Sequence, residues 1–267
     1  MTLFDIEPGT PAAPTESSVR VRLLVAYDGA GFHGFAEQPH VRTVAGVLRE
    51  GIEKVVRAPV ELTCAGRTDA GVHAWGQVVS LDVPATTDLD RLQRSLLALC
   101  GPQVVVREVA VAPPDFDARF SARARTYRYS VLNRLVPDPF TGHLAWHVPE
   151  PLELELLRLA CDPFLGKHDF AAFCRRPKVP KGDEPVSLVR RVRSAAWEDR
   201  GEGRLRLEIT ADAFCRQMVR SIVGTMVAAG HGSVRAGEIR GILAAGDRAN
   251  APPIAPPHGL CLWEVSY

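Results

Sequence analysis

Apolar and polar positions alternate along residues 19 to 27 ("VRVRLLVAY") and then run apolar, which predicts a strand. After a Gly-rich loop, Thr43 is placed to cap a helix. Its apolar positions Val44, Val47, Leu48, Ile52, Val55 and Val56 recur with a 3.6-residue period, and Pro59 is placed to stop it. Short strands are predicted at about 60–64 and 76–83, a second helix at about 88–100 ending at Gly101-Pro102, and a fourth strand at 103–111. The order is β-α-β-β-α-β, the split βαβ pattern of ferredoxin-like domains.

"APPDFDARFSA" (112–122) reads as a linker, and the order then nearly repeats. A strand is predicted at 123–133 with Tyr127, Tyr129 and Val131 on one face, and a helix from Pro151 to near Gly166. Strands at about 187–198 and 203–210 follow, then a long helix at 214–229, a shorter one at 235–245 and a last strand at 259–266. The repeat is one of element order, not of residues. The expected fold class is α+β: two ferredoxin-like (RRM-like) halves, 19–113 and 114–267, with mainly antiparallel sheets side by side and a cleft between them, preceded by a disordered tail over 1–18.

Composition changes this picture little. With 46% hydrophobic and 24% charged residues and a formal net charge of +1, the chain has an ordinary globular balance, and the total charge does not identify a polyanion partner. The distribution says more. "RFSARARTYRYSVLNR" (119–134) holds five arginines and no acid, and 175–193 holds seven basic residues against Asp183 and Glu184. Such segregation suits either one basic face or solvated strands and loops. Six scattered cysteines without a C-x-x-C pair predict reduced, part-buried thiols rather than a disulfide framework or a zinc site. The first eighteen residues lack Lys and Arg and any long apolar run, and no stretch approaches the roughly 20 apolar residues of a membrane span, so a soluble, cytoplasmic protein is expected.

Four residues stand out chemically. Asp69, in "AGRTDAGVHAWGQV" (65–78), lies between Gly66 and Gly71, which let the backbone turn tightly and a substrate come close. An Asx-turn would explain the acid alone, but a turn does not need Arg67 two residues away. In "AFCRQMVRSIVGTMV" (213–227), Arg216 and Arg220 lie four apart on an expected helix. Arg220 is either a snorkelling surface residue or a cation that keeps a carboxylate in the cleft ionised. Tyr127 sits among Arg123, Arg125 and Arg128, where it suits either a core position or a base-stacking aromatic beside phosphate-binding arginines. His143 and His147 have i,i+4 spacing without an accompanying Glu or an evident helix, so no metal site is expected, and no cofactor motif is found.

Taken in order, "YDGAGFHGF", "AGRTDAGVHAWGQV", "FSARARTYRY", "GKHDFAAF", "FCRQMVRSIVG" and "APPHGLCL" resemble the tRNA pseudouridine synthases of the A type from about residue 19 to the C-terminus. The resemblance implies that Asp69 is the essential aspartate and that Arg67 helps displace the target nucleotide from its stack. It also implies that Tyr127 stacks on the uracil, Arg220 ion-pairs with the aspartate, and Leu260 closes the other side of the base. The implied reaction converts uridines at positions 38, 39 and 40 of the tRNA anticodon stem-loop to pseudouridine. The implied assembly is a cofactor-free, metal-free homodimer holding one tRNA across both subunits. The family often has Trp-Gln where this chain has Phe35-Ala36, a departure bearing on RNA contacts or packing rather than chemistry.

The chemistry fits. An ionised carboxylate can act as a nucleophile or stabilise positive charge developing on a sugar. Attack at C1′, addition to the uracil ring and assisted elimination at the sugar are all open to it. Two other classes compete: a non-catalytic RNA binder with Tyr127 and Tyr129 as stacking platforms, and an Asp-dependent nucleoside or glycoside hydrolase. The first has no use for Asp69, Arg67 and Arg220 together. The second usually wants another positioned acid, which the matched motifs do not offer.

Overall fold

The computed structural model describes residues 17–176, 184 and 186–267. The expected tail therefore lies outside the described residues except at its end, and so does the middle of the basic 175–193 segment. Ser17 accepts a hydrogen bond from the Ala85 amide and Ser18 opens the first strand, so the last two residues of the segment expected to be a tail are ordered.

The first half follows the hydrophobic pattern closely. Its elements are β1 (Ser18–Tyr27), α1 (Val44–Val56), β2 (Thr63–Cys64), β3 (His73–Pro84), α2 (Leu89–Cys100) and β4 (Val104–Val111). Thr43 caps α1 by accepting from the Gly46 amide, and Val44, Leu48 and Ile52 are buried. The helix stops before Pro59, because Arg57 adopts a left-handed conformation that no further helical turn can follow. Asp88 caps α2 in the same way through the Arg91 amide.

The second half comprises β5 (Ala124–Leu132), β6 (Trp146–His147), α3 (Leu154–Leu159), β7 (Gly166–Asp169), β8 (Val189–Asp199), β9 (Arg204–Ala211), α4 (Met218–Gly230), α5 (Ala236–Ala245) and β10 (Leu260–Ser266). Two expectations are corrected here. The helix expected from Pro151 to Gly166 is a six-residue α3 followed by a 3-10 turn at Asp162–Phe164 that contains Pro163, and Gly166 opens β7. The long helix begins at Met218, not at 214, because Gln217 before it takes φ 66°, a left-handed conformation that breaks the helix.

All strands join one mixed sheet in the order β4-β1-β3-β10-β5-β9-β8-β7, with β2 beside β3 and β6 beside β5. The two sheets expected side by side are thus one, joined by a short parallel ladder in which Cys261 and Leu262 of β10 pair with His73 and Ala74 of β3. On β5 and β9 burial alternates: Tyr127, Tyr129, Leu207 and Ile209 enter the core with Met218, Ile222 and Met226 of α4, while Thr126, Arg128 and Glu208 face outward. Among the described residues no helix is long and apolar enough to cross a membrane.

Candidate active site

The join between β3 and β10 brings together the loop before β3, the start of α4 and the segment before β10. Asp69 lies on that loop with its side chain 24% exposed. Two guanidinium groups face its two carboxylate oxygens. Arg216 Nε is 3.6 Å from Oδ1, and Arg220 Nη1 is 3.6 Å from Oδ2. They differ in setting: the Arg220 side chain is 13% exposed and Arg216 59%. Arg216 precedes α4, so the pair does not lie on one helix as expected, yet both residues reach the same acid.

Arg220 is fixed independently of Asp69. Its Nε donates to the Ala255 carbonyl at 2.8 Å, and its own carbonyl accepts from the Ala255 amide at 3.1 Å. Burial works against the Arg220 charge and Asp69 works for it, the environment expected of a cation committed to an anion.

The Asp69 loop is held from several sides. The first loop, "YDGAGFHGF", serves as its cradle: the Phe35 amide donates to the Thr68 carbonyl at 3.1 Å, and the Gly71 amide to the Phe32 carbonyl at 3.4 Å. A Cβ on Gly29 would lie 2.1 Å from the Val72 carbonyl oxygen, and one on Gly34, whose φ is +95°, 2.8 Å from that of Thr68. These two positions must be glycine for the loops to touch. Phe35 is buried against Tyr27 with ring centroids 6.2 Å apart, so it serves packing.

Arg125 takes the structural one of the two readings left open around Tyr127. It is 9% exposed and donates to the carbonyls of Ala65, Arg119, Ala122 and Asp212, so it is a strut that ties β5 to the start of the Asp69 loop, not a phosphate ligand. Arg128 is likewise engaged, in an ion pair with Glu208 at 2.7 Å and above the Trp263 ring. The arginine run is therefore not one free basic face.

Tyr127 is 8% exposed and meets Phe214 edge to face, with centroids 5.1 Å apart. Burial raises its phenol well above the ordinary range and keeps it neutral. Leu260, 6% exposed, pairs with Tyr129 in the β10–β5 ladder while Leu262 pairs with Tyr127, so Leu260 and Tyr127 are diagonal neighbours on the buried side. Arg67 is exposed and makes no ion pair with another described residue.

The residues not anticipated from the sequence are Gln77, Thr68, Tyr27 and His73, which hold the loop, and Arg216 as a second cation on Asp69. Cys174 and Cys215 meet side by side with their Cα atoms 5.7 Å apart, a pairing that the scattered cysteines of the sequence do not predict. Beside it, the Arg175 amide donates to the Arg216 carbonyl, so the backbone of Arg216 is anchored while its side chain is exposed. Burial pushes the thiols of Cys64 and Cys261 up to about 11 and about 12, which removes both as thiolate nucleophiles beside the loop. A cavity of about 470 Å³ bordered by Ser130, Thr141, Arg200, Arg204 and Arg206 contains none of the residues around Asp69, so charge and geometry, not volume, mark this site.

A family model described as tRNA pseudouridine synthase matches residues 23–121 and 160–267. The chain is similar to tRNA pseudouridine synthase A of Corynebacterium glutamicum, 41% identical over 264 residues that cover 93% of this chain and 89% of that protein. It is similar to tRNA pseudouridine synthase A of Bacillus subtilis at 36% identity over 251 residues, covering 93% of this chain and 99% of that one. A crystal structure of a Cbf5-Nop10-Gar1 complex matches at a TM-score of 0.31 and 11% identity over 77% of this chain and 54% of that one, a likeness too weak to carry an argument.

Proposed function

The chain belongs to the tRNA pseudouridine synthase family, and from that premise we propose that Asp69 is the nucleophile of a uridine isomerisation at positions 38, 39 and 40 of the tRNA anticodon stem-loop. As a member of the family the protein is an isomerase that acts on tRNA. The reaction breaks the C1′–N1 bond, turns the uracil and joins C1′ to C5; C5 loses a proton and N1 gains one. Atoms and electrons balance within the nucleotide, so the stoichiometry calls for no redox partner or group carrier.

One observation carries the assignment: a partly exposed carboxylate on a loop clamped from several sides, with a cation facing each of its oxygens. Nucleophilic attack and charge stabilisation both use the carboxylate as an anion, and a cation faces each of its oxygens. Tyr127 and Leu260 are the walls of the uracil site, a reading supported by their diagonal placement on adjacent strands. Taking the uridine out of its stack costs a few kcal/mol. Arg67, exposed and unspent on other described residues, is the group that helps displace the nucleotide, and phosphate contacts offset the cost.

The sheet reads as two ferredoxin-like halves, 19–113 and 114–267. The strand orders β4-β1-β3-β2 and β10-β5-β9-β8 support this, each being the split βαβ order 4-1-3-2. The working unit is a homodimer that holds one tRNA across both subunits, and a tRNA substrate assigns it to the cytoplasm. The test is pseudouridine formation in unmodified tRNA, read at single-nucleotide resolution with the wild-type protein and with Asp69→Ala. Product at 38–40 with wild type and none with the variant is the expected result. Tight tRNA binding without product from the wild-type protein would overturn the catalytic reading.

A further inference from the structure

Gln77, Thr68 and Tyr27 hold the Asp69 loop through one buried hydrogen-bond chain. Tyr27, the last residue of β1, is 4% exposed, and its hydroxyl lies 2.8 Å from Thr68 Oγ1, itself on a residue 7% exposed. Gln77 of β3, fully buried, donates its amide Nε2 to the Gly66 carbonyl at 2.6 Å and lies 3.4 Å from the Tyr27 hydroxyl. The chain thus grips the loop at two points, Gly66 and Thr68, the latter next to Asp69 in sequence. The Gly66 carbonyl accepts, so the Gln77 nitrogen must face it; the Gln77 oxygen is left without a partner among the described residues. A buried acceptor left unpaired is a cost that a residue serving packing alone would not need to bear.

Asp69 needs such a grip because its carboxylate is not tightly held at its own oxygens. Both arginine contacts are 3.6 Å, beyond ordinary hydrogen-bond length, and the Arg216 side chain is more than half exposed. The position of the carboxylate therefore comes from its backbone. We propose that Tyr27, Thr68 and Gln77 are positioning residues for Asp69: a neutral hydroxyl–hydroxyl–amide brace that aims the acid without touching the substrate. This rests on the reading of Asp69 as the reagent. Burial raises the Tyr27 phenol far above its ordinary value, so it remains a neutral hydrogen-bonding group through the working pH range.

Three variants test the brace. Tyr27→Phe keeps the ring and removes the hydroxyl; Thr68→Val keeps the shape and removes its partner; Thr68→Ser keeps the hydroxyl. A small displacement of a reacting group costs up to about 100-fold in rate, so Tyr27→Phe and Thr68→Val are expected to lower kcat by roughly 10- to 100-fold. Their tRNA Kd should stay within about twofold of wild type, since the chain is buried away from RNA. Thr68→Ser should recover most of the rate lost in Thr68→Val. Because one bond joins the two hydroxyls, the Tyr27→Phe/Thr68→Val double variant should be little worse than either single one.

Wild-type kcat in both single variants would overturn the proposal. So would effects that multiply in the double variant, or a Thr68→Ser loss equal to that of Thr68→Val, since general destabilisation would give those results. Asp69→Ala separates this from the reading beneath it: an active Asp69→Ala sinks the reagent assignment, whereas an inactive one beside a fully active Tyr27→Phe sinks only the brace.

Discussion

Arg220 reaches Asp69 from the first turn of α4 with Nη1 3.6 Å from Oδ2, while the same guanidinium is tied through Nε to the Ala255 carbonyl at 2.8 Å. One side chain thus joins the Asp69 loop, the helix and the segment leading to Leu260. Arg220→Ala removes the more buried of the two cations and leaves the Ala255 carbonyl without its donor. We expect kcat to fall on the order of 100-fold, as when one preorganised electrostatic partner is deleted, with tRNA affinity changing far less. A loss confined to affinity would contradict the role given to Arg220. Arg220→Lys restores charge but not the forked geometry, and should recover only part of the rate.

Arg216 faces the other oxygen of the same carboxylate but is largely in solvent. Exposed ion pairs contribute little, typically about 0–1 kcal/mol, so Arg216 is free to exchange Asp69 for an RNA phosphate when substrate enters. Arg216→Ala should weaken tRNA binding and flatten the plot of log K against log salt by roughly 0.7–0.9, one phosphate contact. Its kcat should stay within a few-fold of wild type. A collapse of kcat matching that of Arg220→Ala, with the salt slope unchanged, would show that both arginines serve the carboxylate alone.

Gly34 and Gly31 offer a matched pair. Both have positive φ, +95° and +78°, so alanine is strained at either. Only at Gly34 does the added Cβ meet the Asp69 loop, 2.8 Å from the Thr68 carbonyl oxygen; at Gly31 it meets nothing within 4 Å. Each substitution should cost roughly 1–3 kcal/mol in stability, visible as a lower thermal midpoint. Activity should separate them: Gly34→Ala pushes the backbone beside Asp69 and loses kcat by more than about tenfold, whereas Gly31→Ala retains it. Equal activity in the two would mean that the contact between the loops does not position Asp69.

Much of this arrangement was legible in the alternation and periodicity of the chain. Thr43 marked a helix start correctly because capping is a local matter of one side chain and one amide. Gln217 was opaque, since an apolar period running through Phe214 does not reveal that one residue turns left-handed. Arg125 was left between two readings although the signal that decides it was present. Period-two parity places it with Tyr127 and Tyr129 on the buried side, where a guanidinium is tolerated only if carbonyls surround it. The Cys174–Cys215 pairing could not be read, because the residues are 41 apart and only the fold brings their Cα atoms to 5.7 Å. Asp69 itself was marked by motif; what aims it became visible only when distant segments met.

His73 links two of those segments, and its chemistry gives a pH dependence. The Gly29 amide donates to Nδ1 at 3.1 Å, so that nitrogen carries a lone pair. Nε2 then bears the hydrogen and donates to the His258 carbonyl at 3.1 Å. This neutral tautomer ties the first loop to the segment before Leu260. Burial lowers the pKa of His73 below its ordinary 6.5; the Asp28 carboxylate, 3.0 Å from Nδ1, opposes the shift without reversing it, and His143 adds to it. The unfolded chain therefore takes up this proton before the folded one does. Stability from this site is complete above about pH 6.5 and declines as pH falls, until the folded imidazole is protonated as well. His73→Gln should be less stable than wild type at pH 7.5, by roughly 1–3 kcal/mol for hydrogen bonds lost in a buried place. The gap should narrow on going to pH 5.5, because only the wild type has this proton to lose stability to. Denaturant unfolding of both proteins across that range measures it, and a gap that stays constant or widens toward acid would refute the neutral tautomer.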